Sequence, residues 1–89
     1  MSIANADVEK MERFLSHLSR FDKLLEDEFR GMLGDWRDLG GVWRDEKYHQ
    51  LGKDLTEAAR GIERYLGTAD DHEAHLAQLI RRLEEYLRA

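Results

Sequence analysis

Cysteine and proline are both absent from these 89 residues. Without cysteine the chain forms no disulfide and offers no thiolate to a metal, so composition does not name a redox compartment. Without proline, nothing removes an amide or crowds a preceding turn inside a helix. Also missing is any apolar run long enough to cross a bilayer, and Met1 to Ala6 holds no basic cluster followed by an apolar stretch. An excess of base is lacking too. Net charge is -5, with nine acids to six bases over residues 7–39 and ten to seven over 45–89. So even an acidic balance argues against a phosphate-binding stripe. Arg60, Arg64, Arg81, Arg82 and Arg88 are interleaved with acids, so neither nucleic acid nor a membrane is expected as a partner. These absences lead us to expect a soluble chain, cytoplasmic or exported without a cleaved signal.

What is present is 42% hydrophobic beside 37% charged residues, the mixture of an amphipathic helix bundle. Val8, Met11, Leu15, Leu18, Leu25, Phe29, Met32, Trp36 and Leu39 recur three and four apart, the a and d slots of a heptad. One slot is polar. Asp22 takes an a position, where it can fix register or partner choice or reach out to the rim; Phe21 at g is expected to lean in over it. A second series runs through Tyr48, Leu51, Leu55, Ala58, Ile62, Tyr65, Ala69, His72, Leu76, Leu79, Leu83 and Tyr86, with Ala59, Leu66, Ile80 and Leu87 flanking at e. Because its phase survives Gly67 to Asp71, the second helix is read as continuous there.

Between the two series lies Leu39-Gly40-Gly41-Val42-Trp43-Arg44-Asp45. Asn5 or Asp7 can cap the first helix. Gly40 and Gly41 offer a left-handed residue to end it, and Asp45 and Glu46 bring negative charge to the start of the next. The expectation is an all-α protein, an antiparallel hairpin with helix 7–39, turn 40–44 and helix 45–88 in a single domain.

Length sets a further expectation. At 1.5 Å per residue the helices span about 50 and about 65 Å. Folding back from a turn near residue 42 would put Asp7 beside Leu76 or Ala77. Leu79, Ile80, Leu83, Tyr86 and Leu87 would then lie beyond the first helix, each worth about 1.5–3 kcal/mol if buried. A homodimeric four-helix bundle would cover them, bringing Tyr86 and Leu87 toward Trp36, Val42 and Trp43 of a second copy.

Candidates for chemistry diverge instead of converging. Glu46 and His49 have the Glu-x-x-His spacing of carboxylate-bridged bundles but fall at outer positions. His72 and His75 are three apart, close enough to share an ion. His72, at d, is read as an interface histidine and His17, at c, as exposed. No catalytic residue, cofactor or metal is expected.

The corner and the stretch Trp43-Arg44-Asp45-Glu46-Lys47-Tyr48-His49-Gln50-Leu51 resemble the early-secreted-antigen-like Trp-Xaa-Gly (ESAT/WXG) hairpins of type VII secretion, or a short bacterial relative lacking the strict motif. The resemblance covers nearly the whole chain, with Gly40, Gly41, Trp43 and Asp45 at the turn. Asp45 stands where the family has glycine. What the resemblance implies is a non-enzymatic interaction protein whose partner is itself, a related hairpin or a larger effector. A cytosolic coiled-coil scaffold unrelated to secretion and a bundle-core metalloenzyme are the alternatives.

Overall fold

In the computed structural model, which describes residues 5–88, two helices carry the chain: α1 is Asn5–Leu39 and α2 is Glu46–Arg88. Both stay within two residues of the boundaries read from periodicity. Asn5 and Asp7 are already helical, so Asp7 contributes charge to the first turn and does not cap it. Gly67 to Asp71 lies inside α2 without interruption. The architecture is an all-helical hairpin of two helices.

The chain divides into two compact units, residues 5–22 with 68–88, and Lys23–Gly67. In the unit formed by 5–22 and 68–88, the buried positions are Val8, Asp22, Ala69 and Ile80. Asn5 and Val8 line a shallow hollow together with Glu84, Leu87 and Arg88. Here the length argument fails. The end of α2 has an intramolecular neighbour: Ile80 is only 5% exposed, and Leu83 and Leu87 are half-buried. The physical reason is register: Asp22 meets Glu73 and Glu12 meets Glu84, which brings Val8 to the hollow it shares with Leu87, so the last turns of α2 need not wait for a second molecule.

In the unit Lys23–Gly67 the seam is set at the corner. Trp36 brings a bicyclic ring to α2, and only a residue without a side chain can face it. Gly52 takes that position; a Cβ there would stand 2.9 Å from Cη2 and 3.2 Å from Cε2 of the indole, and nearer still to Cζ2. With Gly52 and Tyr48 buried, α2 turns its a and e positions toward α1 instead of a and d. Ala59, Ile62 and Leu66 share a hollow with Phe29 and Leu33. The same choice holds in the other unit, where Glu73, Ile80 and Leu87 are the covered residues and His72, Leu79 and Tyr86 are exposed. His72 therefore does not occupy the seam; Glu73 does.

Candidate interaction surface

α1 ends without the left-handed glycine expected of Gly40 or Gly41, since neither has positive φ. Every last-turn carbonyl still finds a donor. Gly40 N donates to Arg37 O at 3.1 Å and Gly41 N to Asp38 O at 3.3 Å, while Val42 N and Trp43 N reach Leu39 O at 2.9 and 2.7 Å. These tighter bonds close the final turn. The Tyr48 hydroxyl donates to Trp36 O at 2.9 Å, and Arg44 Nε donates to Gly40 O at 3.3 Å. Glycine is needed at 40 for room: a Cβ there would meet the Tyr48 hydroxyl oxygen at 2.5 Å.

Tyr48 thus holds the corner from inside. Its ring stacks on Trp36 at 4.6 Å between centroids and meets Trp43 edge-on at 5.4 Å. Trp36 Nε1 is buried without a hydrogen-bond partner, a cost accepted for the stack. Asp45 caps α2, its Oδ1 accepting from Tyr48 N at 3.0 Å. The Tyr48 amide and the Trp43 side chain, helped by the Lys47 amide and His49, hold its carboxyl below the usual range against desolvation. The acid found where the resembled family has glycine is therefore the helix cap.

Two acidic pairs join α1 to α2 in the unit of residues 5–22 and 68–88. A hydrogen bond to Asp22 raises the Glu73 carboxyl; Ser19 pulls it back, and desolvation and the charges of Asp22 and Asp70 raise it further. A hydrogen bond to Glu84 likewise raises Glu12, with desolvation and the charges of Glu84 and Glu9 adding to it. Asp22 is 6% exposed and Phe21 49%, and Glu73 meets Asp22 from α2.

Phe21 belongs to a different surface. Phe14 and Phe21 each stand one residue before a seam position, Leu15 and Asp22; Leu79 and Tyr86 stand one before Ile80 and Leu87. In an antiparallel pair, a step back along either chain leads to the same side, because reversing direction and facing the neighbour cancel. These four are 59%, 49%, 37% and 73% exposed. Within Lys23–Gly67 the same rule gathers Met32, Leu39 and Leu51, which precede Leu33, Gly40 and Gly52 and are 45%, 45% and 39% exposed. The step forward from the seam is polar or small instead: Ser16, Lys23, Gly34, Lys53, Ala74, Arg81 and Arg88. Each unit has one apolar and one polar side.

The residues expected at an interface divide accordingly. Trp36, Trp43, Ile80, Leu83 and Leu87 are engaged within the chain, whereas Val42, Leu79 and Tyr86 remain open. Phe14 and Phe21, at g beside the a and d slots, are the sequence signal for this side, whereas Met32 and Leu51, expected in the seam, lie outside it. His17, Glu46, His49, His72 and His75 are exposed, and among the described residues no three His, Cys, Asp or Glu side chains gather where they could hold an ion. No helix among them is long and apolar enough to cross a membrane. Comparison with protein-family models, curated proteins and solved structures returns no match to this chain.

Proposed function

We propose that this chain is a non-catalytic interaction module whose apolar side pairs with a second copy of itself to complete a four-helix bundle. The observation that carries the reading is the one-sided exposure of Phe14, Phe21, Met32, Leu39, Leu51, Leu79 and Tyr86. Large apolar side chains on one side of each unit, with polar or small residues on the other, fit a surface that works covered. The thin core supports it: among the described residues only Val8, Tyr48, Ala69 and Ile80 are buried hydrophobics, few for a domain of this size to stand on alone.

A place among type VII secretion substrates or adaptors is supported by the tryptophan corner opening α2. A scaffold unrelated to secretion is the second reading, favoured by Asp45, which serves as a helix cap in place of the glycine of the resembled motif. Both assign the same surface to a protein partner.

Light scattering on Leu79→Lys and Ala74→Lys tests the surface, since the two positions lie on opposite sides of α2. The expected result is a monomer for Leu79→Lys and an unchanged dimer for Ala74→Lys. Equal masses for the two variants would count against the assignment.

A further inference from the structure

The charges around the two apolar patches differ in sign. On a helix the neighbours of a residue lie three and four positions away. Around Phe14, Phe21, Leu79 and Tyr86 those outer positions hold Lys10 and Arg82, with His17 and His75 between them; Asp7 lies two turns before Phe14. Around Met32, Leu39 and Leu51 they hold Glu28, Asp35 and Asp54, with Lys47 as the base. All nine of these residues, Asp7 included, are exposed.

The exposed area is sufficient for a partner. A compact monomer of 10.5 kDa should expose about 5,400 Å², whereas this chain exposes 7244 Å². The surplus is about 1,800 Å², against the roughly 800 Å² per partner that a stable interface covers.

We propose that the dimer is addressed by charge: the basic-rimmed patch of residues 5–22 and 68–88 in one chain seats on the acidic-rimmed patch of Lys23–Gly67 in its partner. A two-fold axis makes the reciprocal contact with the same residues. Like patches laid on like would set Lys10 and Arg82 against themselves and Glu28 and Asp35 against themselves, which disfavours the other register. This inference rests on the homodimer proposed above and adds its register and its specificity.

Sedimentation velocity at low salt on the full chain tests it. Lys10→Glu with Arg82→Glu should weaken association about tenfold, and adding Glu28→Lys and Asp35→Lys to the same chain should restore it. Exposed rim positions keep the fold, which helix content by circular dichroism checks. An independent arm uses the absence of native cysteine: chains carrying Leu79→Cys are mixed with chains carrying Leu51→Cys and oxidised. Mixed disulfides should outnumber like-with-like ones. If the four-fold variant associates no better than the double variant, or like-with-like disulfides dominate, the charge register is wrong and the dimer stands. A wild-type chain that stays monomeric would instead remove the dimer itself.

Discussion

Gly52→Ala isolates the contact that sets the phase of α2. In an open helix, replacing glycine by alanine stabilises by about 1 kcal/mol. Gly31 and Gly67 are open, with nothing within 4 Å of an added Cβ. At Gly52 the same methyl enters the indole of Trp36, and the ring has little freedom to withdraw because it lies 4.6 Å from Tyr48 at an interplanar angle of 10°. Overpacking of this kind costs about 1–3 kcal/mol, which the helix gain offsets only in part. Gly52→Ala should therefore be up to about 2 kcal/mol less stable than wild type, while Gly67→Ala should be about 1 kcal/mol more stable. At roughly 4–8 °C per kcal/mol for a domain of this size, thermal melts at one protein concentration would separate the two variants by at least about 4 °C. Trp36→Phe removes the offending ring, so Gly52→Ala should turn stabilising in that background, a coupling that a double-mutant cycle measures. If Gly52→Ala stabilises as Gly67→Ala does, the Trp36 packing that orients α2 is wrong.

Three further outcomes follow from the polar contacts. Tyr48→Phe keeps the stack and loses the bond to Trp36 O, at a cost of about 0.5–1.5 kcal/mol in urea unfolding. Glu73→Gln and Glu12→Gln should raise stability at neutral pH and leave it nearly unchanged in acid. Their folded carboxyls sit above the ordinary 4.5, so the wild-type contribution is full below that value and is lost as pH rises through the folded one; melts across that interval check the sign. Asp45 behaves oppositely. Its folded value lies below the ordinary 3.8, so its contribution holds above 3.8 and is lost as pH falls through the folded one. Asp45→Asn keeps a cap and should flatten that acid limb in the same melts.

Both helices were legible because their apolar residues keep one phase over many turns and no proline intervenes, and Gly67 to Asp71 stayed helical for that reason. The rotation of α2 was not legible. Residues Leu51 and Leu79 look more suited to a seam than Gly52 and Glu73 do, and only the volume of Trp36, felt from the other helix, decides for glycine. In the other unit Glu73 and not His72 lies on the seam, in step with Ile80 and Leu87 at e, where a charged residue gave no apolar cue of its own. The register of residues 5–22 on 68–88 was misread for a related reason. Counting along helices ignores which side chains can shelter one another, and Ile80 and Leu87 found cover from α1. Asp45 was half-legible: its charge at a helix start was evident, its side-chain contact with Tyr48 N was not.

What the surface is for depends on whether a second molecule covers it. Sedimentation equilibrium of the unaltered chain over a wide concentration range asks this directly. A mass of twice 10.5 kDa that falls toward the single-chain value on dilution is the predicted result. A single-chain mass at every concentration would contradict the account, because Phe14, Phe21, Leu79 and Tyr86 would then face water in the working protein.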